Sequence, residues 1–546
     1  MELDDNTGFA MGRRPIWEAS LPKQNFAALA AEIDVDVAII GGGITGITTA
    51  ALLASSNLRI AVLEAAQVGS GSTGHSTGNL YATVDQHLHK LSAKWGELKT
   101  RQVVDSRLRA IDVIENLTRT LGLKCGFSRQ PWTLYSMQAD ASMDAVIENE
   151  YQAATRFGLR ARLGIDLPLP YPVHKALVVS NQAQFHPLAY VRQLAAAIRS
   201  PRCEVYEMSP VTDIDEDTGL IKTLQGRVHA QHIVMATHTP LGISLLHTEL
   251  GVYREYAVAA PLLEPQLGGG IFWSAGPEKH STRLVEHEGM PHVLIIGEKH
   301  KTGQKEDAQA AYLKLEAILR RSFKIGDIAY RWSAQQYRPA DGMPYIGKNG
   351  DKSRIYHATG FAADGLTYGT VAAMVIADEV TGVANDYAEL YTPRRFNPMK
   401  AAPTFIKENL NIASYYVKDY LKHPEAKEIS DVARGAGRIV EVAGDKLAVY
   451  RDDAHQLHVL SPVCTHMKCQ VHFNQAERTW DCPCHGSRFS VEGTVIEGPA
   501  LSGLKKVALP GETTAPGVNV PAGDTTQAGS AASGATVGGT TPDSGS

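Results

Sequence analysis

The sequence predicts a large α/β domain followed by a small all-β domain, and three observations carry that reading. Residues from about 35 to 385 alternate β-branched runs, as at Val35–Ile40, Ile60–Glu64 and His232–Thr237, with Ala/Leu-rich helical patterns. From Ile429 to Leu509 short strands dominate, at Ile439–Val442, Leu447–Tyr450 and Leu457–Leu460, separated by Gly, Asp and Pro. The chain of 546 residues exceeds what one hydrophobic core supports, and its 44% hydrophobic and 20% charged residues are those of a globular protein.

In chain order, residues 1–34 read as an N-terminal arm. Arg13-Arg14 is followed by no apolar stretch, so neither a secretory nor a twin-arginine signal is expected, and the expected address is cytoplasmic. Residues 35–385 form the large domain. The long uncharged run Val37–Leu58 is broken by Gly41, Gly42, Gly43 and Gly46 and suits a strand, turn and helix better than a membrane span, so no integral membrane segment is expected. Residues 386–428 are a connector with an amphipathic helix, Phe405–Leu421, and residues 429–510 are the small β domain. Beyond Pro510 the chain is Gly, Thr, Ala, Ser and Pro, which cannot bury enough surface to fold, so 511–546 is expected to be disordered. A net charge of −5 argues against a nucleic-acid partner.

The strand Val37–Ile40 runs directly into Gly41-x-Gly43-x-x-Gly46, then a helix, then the strand Ile60–Leu63 ending at Glu64. That is the context of a dinucleotide-binding fingerprint. The glycines let the backbone approach a pyrophosphate, the helix N-terminus stabilises its charge, and Glu64 can accept hydrogen bonds from ribose hydroxyls. The fingerprint alone does not choose between a nicotinamide and a flavin.

Three further stretches resemble the D-amino-acid oxidase-like FAD superfamily, which includes glycine, sarcosine and dimethylglycine oxidases and dehydrogenases. They are the loop Gly69–Gly78, the helix entry Gln184-Phe-His-Pro-Leu188, and Asp341–Gly347 together with Thr359–Thr367 before an expected helix Thr370–Val380. The resemblance implies an FAD-binding domain of D-amino-acid oxidase or glutathione-reductase type with an inserted α+β substrate subdomain. It places Ser72, Thr73 and His75 on the flavin, Val211 near the adenine, and Gly360, Phe361, Gly365, Leu366 and Thr367 near the isoalloxazine. His75 is similar in position to the histidine carrying covalent flavin in dimethylglycine and sarcosine dehydrogenases. There an aromatic residue precedes it, whereas here Gly74 does, and contact by hydrogen bond is the preferred reading. Arg254, Tyr256, Arg283 and Arg338 are candidates for the substrate side, since an arginine can clamp a carboxylate.

Four of the six cysteines fall between 464 and 484. Cys464-x-His466 and Cys482-x-x-His485 provide two thiolates for one iron and two imidazoles for the other, the Rieske [2Fe–2S] arrangement, with a four-coordinate zinc site as the rival. The remaining pair, Cys469 and Cys484, resembles the cysteines that form a disulfide in Rieske proteins of cytochrome bc complexes, and Gly498-Pro499-Ala500 resembles their proline loop. In that comparison Ser487 is kept but Phe489 replaces a tyrosine whose hydroxyl bonds a ligand cysteine, which implies an intermediate potential. Cys125 and Cys203 read as buried small hydrophobes, and His455, His458 and His472 fit no ligand spacing.

Together these features resemble a bacterial family of FAD-dependent oxidoreductases with a Rieske domain. That family fixes the cofactors, FAD and a [2Fe–2S] cluster, better than the reaction; from those cofactors and the wider superfamily the expected reaction is oxidation of a C–N bond in an amino acid or N-methylated amine. Electrons would leave FAD through the Rieske cluster for a one-electron acceptor protein or quinone. The competing readings are an NAD(P)H-driven reductase, for which no second fingerprint is present, and a non-catalytic redox sensor.

Overall fold

In the computed structural model the fingerprint follows the C-terminal end of an interior strand of a mostly parallel sheet. The structure describes residues 14–19, 21, 25–305, 307–395, 405–415 and 424–508. Strands Glu32–Ile40, Ile60–Leu63, Cys203–Tyr206, Arg227–Met235 and Ile355–Thr359 are parallel neighbours, and Tyr345–Lys348 closes one edge antiparallel. Their near-continuous apolar sequence follows from burial on both faces. Helices Ile44–Leu53, Pro187–Ile198 and Gly365–Thr381 pack together as a layer on this sheet. At Gly46 an added Cβ would lie 1.9 Å from the Gly41 carbonyl oxygen, so only glycine lets the first helix sit this close to the strand turn.

A second, nine-stranded sheet carries the other half of the large domain. Its longest strands, Leu250–Pro261, Met290–Lys301 and Tyr330–Pro339, are antiparallel neighbours, and the helix Gln309–Ser322 covers their far face. The small domain consists of a three-stranded and a four-stranded antiparallel sheet. The expected strands there are each present, at Gly437–Val442, Asp445–Arg451 and Leu457–Leu460. In the connector a helix spans 405–415; the rest of the expected helix, 416–421, and the expected disordered tail 511–546 lie outside the described residues. One expected boundary moves. The helix predicted to begin at Thr370 begins at Gly365, because Asp364 and the following residues turn immediately after the strand.

The two domains belong to one compact unit reaching Val507, and a buried ionic array joins them. Arg254, on the large domain, lies 3.2 Å from Glu477 and 3.7 Å from Glu497 of the small one. Arg488 sits 3.3 Å from the same Glu497, 3.8 Å from Glu477 and 3.1 Å from Asp481. Tyr312 donates to Glu477 at 2.6 Å, again across the boundary. Burial opposes ionisation of Glu477, but Arg254, Arg488 and the hydroxyls around it outweigh that and hold it at about 2. Glu497 is likewise held at about 2, with His238 and both arginines overcoming its burial.

Two outcomes follow. Arg254→Met leaves Glu477 and Glu497 with Arg488 as their one remaining guanidinium, and should cost on the order of 3 kcal/mol in urea unfolding and open the domain boundary to protease. Because both glutamates sit below their ordinary value when folded, their contribution is complete above about pH 4.5 and is lost as pH falls toward 2. Docking, followed by limited proteolysis or scattering, should therefore loosen across that window and not between pH 6 and 8.

Candidate functional site

The C-terminal ends of the parallel strands open onto a single cavity of about 1870 Å³, larger than the ~300–1,000 Å³ of ordinary small-ligand pockets. Gly41, Gly43, Glu64, Ser72, Thr73, His75, Val211, Phe361, Gly365 and Leu366 all line it. Gly46, Gly360 and Thr367 stand behind that surface, Gly46 in the first helix and Thr367 in the helix from Gly365. The Glu64 carboxylate accepts from the Gly42 N–H at 2.7 Å and the Ala66 N–H at 2.9 Å, and burial raises its pKa. Thr73 Oγ1 accepts from the Ile44 N–H at 3.0 Å, tying the second glycine-rich loop to the first turn of the helix. His75 donates from Nδ1 to the Gly71 carbonyl at 2.9 Å, and its own carbonyl accepts from Trp332.

Of the substrate-side candidates, the structure brings Arg254 and Arg338 to the cavity and leaves the other two elsewhere. Arg254 is committed to the domain boundary. Arg338 lies 2.9 Å from Asp85, which is also 3.5 Å from Lys299, itself 3.7 Å from Glu255. Arg283 is buried and spends its guanidinium on the carbonyls of Thr77, Gly78 and Leu284, so it shapes the loop. Tyr256 is buried in the second sheet, where its hydroxyl meets His300 at 3.1 Å. Asp85, Lys299 and Glu255 escaped the sequence reading because no spacing connects them.

The second centre lies on two loops of the small domain. Cys469 and Cys484 form a disulfide, which leaves Cys464 and Cys482 as buried free thiols. Cys469, Cys482 and Cys484 crowd within 4.8 Å of one another, so the disulfide holds the two loops together beside the thiols. Hydrogen bonds, from Cys482 first and then from the His466 backbone and Ser487, pull Cys464 down to about 7 against its burial. The rings of His466 and His485 lie 5.0 Å apart. His466 Nε2 donates to the Gly242 carbonyl at 3.2 Å, and its Nδ1 is buried without a partner among the described residues. Two buried thiols beside a buried imidazole lone pair suit a [2Fe–2S] cluster. Ser487 Oγ also accepts from the Ala500 N–H at 3.1 Å, fastening the proline loop. His458 is bonded to Asp452 and His472 to the Gly303 carbonyl. Cys125 and Cys203 are buried and free, and burial raises both thiols.

The two centres share a wall. Val495–Gly498 and Ala500–Ser502 of the small domain line the flavin-side cavity. Gln335 donates to the Gly486 carbonyl at 2.9 Å and Tyr337 to the Gly498 carbonyl at 3.2 Å. The Tyr337 carbonyl in turn accepts from Ala362, on the segment expected beside the isoalloxazine. Gly486 has φ +79, and a Cβ there would come within 2.5 Å of Val252. The loop that carries His485 thus abuts the large domain closely.

Fold and site define an FAD-linked oxidoreductase with a Rieske iron–sulfur centre. The chain belongs to the FAD dependent oxidoreductase family, whose profile matches residues 36–379, and a Rieske [2Fe-2S] domain profile matches 423–508. It is 33% identical to YhfW of Bacillus subtilis (strain 168), named as a Rieske 2Fe-2S iron-sulfur protein, over 90% of this chain and 97% of that one. It is 23% identical to gamma-glutamylputrescine oxidoreductase of Escherichia coli (strain K12), over 66% of this chain and 87% of the relative. Glycine oxidase from Geobacillus kaustophilus has the same fold at 19% identity, with a TM-score of 0.53 over 67% of this chain and all of the other. Among the described residues no helix is long and apolar enough to cross a membrane.

Two substitutions separate the centres. Cys464→Ser should abolish the Rieske EPR signal while leaving the visible flavin absorption. Gly43→Glu, which places a carboxylate where the pyrophosphate would meet the helix N-terminus, should remove that absorption and leave the EPR signal.

Proposed function

We propose that this protein is a dehydrogenase. It oxidises a C–N bond of an amino acid or N-methylated amine and passes the electrons through the Rieske centre to a one-electron acceptor protein or quinone. The observation that carries this reading is the shared wall, because the small domain lines the cavity that the FAD fingerprint opens onto. When bound, FAD supplies a two-electron acceptor for hydride and the cluster a one-electron store.

The chain's own residues supply recognition and enclosure. Asp85, Glu255, Lys299 and Arg338 form a quartet of two carboxylates and two cations on one side of the cavity, a pattern matched to a zwitterion. Burial raises the Glu255 carboxyl, whereas Arg338 and Lys299 overcome the burial of Asp85 and lower it. Asp85 is therefore the anion for a substrate ammonium, and Lys299 and Arg338 face its carboxylate. The N-terminus of the helix Gly365–Thr381 presents backbone N–H groups and the positive end of its dipole to the cavity at Gly365 and Leu366. Gln335 and Tyr337 hold the cluster loops on the strand whose backbone also fixes Ala362. The names of related proteins, an oxidoreductase of gamma-glutamylputrescine and a glycine oxidase, support the same substrate class.

An anaerobic titration with a panel of amino acids, N-methylated amines and NADH tests the reading, with flavin bleaching and the Rieske EPR signal followed together. Rapid bleaching by one amine, with the cluster reduced after the flavin, is expected. Reduction by NADH alone would make the protein a reductase, and reduction without turnover of any compound would make it a sensor. Arg338→Ala should raise KM for a carboxylate-bearing substrate on the order of ten- to a hundredfold, the equivalent of one charged hydrogen bond.

A further inference from the structure

One loop of the large domain reaches both cluster histidines. A histidine that gives one ring nitrogen to iron keeps its hydrogen on the other, and that N–H needs an acceptor. For His466 the acceptor is the Gly242 carbonyl, at 3.2 Å. Five residues on, in the short helix Leu245–Glu249, His247 is 3% exposed and packs against both ligands. Its ring lies 4.8 Å from that of His466, nearly perpendicular at 84°, and 5.8 Å from that of His485 at 53°. His247 Nε2 faces the Pro240 carbonyl at 3.0 Å, a contact that only an N–H can make. Its Nδ1 is thereby the lone-pair nitrogen, and it is buried without a partner among the described residues.

We propose that His247 Nδ1 is the acceptor for the remaining N–H of His485, which makes His247 a positioning residue for the cluster contributed by the flavoprotein domain. The 5.8 Å between the ring centres leaves the nearest ring nitrogens about 3.5 Å or more apart, so the bond is not made in this arrangement; a small turn of either ring closes the gap, and the bond satisfies a buried acceptor that has no other partner among the described residues. An acceptor on a coordinated imidazole pushes electron density onto the ring and through it to iron, which favours the oxidised cluster and lowers its potential. Gly242 acts on His466 in the same sense. The large domain therefore tunes the cluster of the small one, and the cluster potential reports whether the domains are docked. This inference rests on the Rieske cluster alone and stands whichever substrate the flavin serves.

The test is an EPR-monitored redox titration of the full chain at fixed pH. His247→Phe, which fills the space but accepts no hydrogen bond, should raise the cluster midpoint and move its g-values with the flavin absorption unchanged. His247→Gln, whose amide oxygen can accept, should return both toward wild type. Wild-type midpoint and g-values in His247→Phe would overturn the proposal. A measurement on the unmodified protein decides independently, by ENDOR of the reduced cluster after transfer to D2O. Two slowly exchanging imidazole protons are expected, one on each ligand, and immediate exchange at His485 would overturn the assignment.

Discussion

The joining of the two domains rests on four charges set between them, two buried arginines and two half-buried glutamates. Arg254 and Arg488 face Glu477 and Glu497 in an alternating square, with Arg254 the one member from the large domain. Buried ion pairs offset their own desolvation only when the geometry is good and remaining lone pairs are bonded. Here Tyr312, Asp481 and His238 supply those bonds. The result is less a source of net stability than of register, because only one placement of the small domain leaves no charge unpaired.

Register matters because the contacts around the cluster tolerate little displacement. Gly486 meets Val252 and Gln335 with no room for a side chain, and its neighbour His485 packs on His247. A single strand, Tyr330–Pro339, touches the cluster loops through Gln335 and Tyr337 and the flavin segment through the Tyr337 carbonyl. The small domain is thus already docked against the cavity wall in this arrangement.

Much of this was legible in the sequence wherever function is written into local spacing. Gly41-x-Gly43-x-x-Gly46 followed by Glu64, and Cys464-x-His466 with Cys482-x-x-His485, are contiguous patterns, and the structure sets the first at a strand-to-helix turn and the second on two facing loops. The fold class followed from the same periodicities. What could not be read is what tertiary structure assembles. Arg254 looked like any arginine near a substrate segment, yet its partners lie more than two hundred residues away. Arg283 has the same chemistry as a carboxylate clamp, but its donors are consumed by backbone carbonyls. His247 belongs to no motif and acquires meaning only when a distant domain sets two histidines against it. Even the helix start at Gly365 was displaced in the reading, because glycine and threonine disfavour helices by local propensity while packing under the cavity favours one.

The wall that the small domain lends to the cavity links cofactor occupancy to assembly. Any ligand that binds only the closed arrangement stabilises that arrangement in proportion to the logarithm of its concentration over its dissociation constant. A cofactor held in this cavity against the walls of both domains would be such a ligand, and its loading would tighten the docking of the small domain. In a cell short of flavin the same linkage runs backward. The apoprotein would keep its cluster but hold its small domain more loosely, and its domain boundary would be the first place a protease enters, making flavin supply a check on the assembly of the two halves.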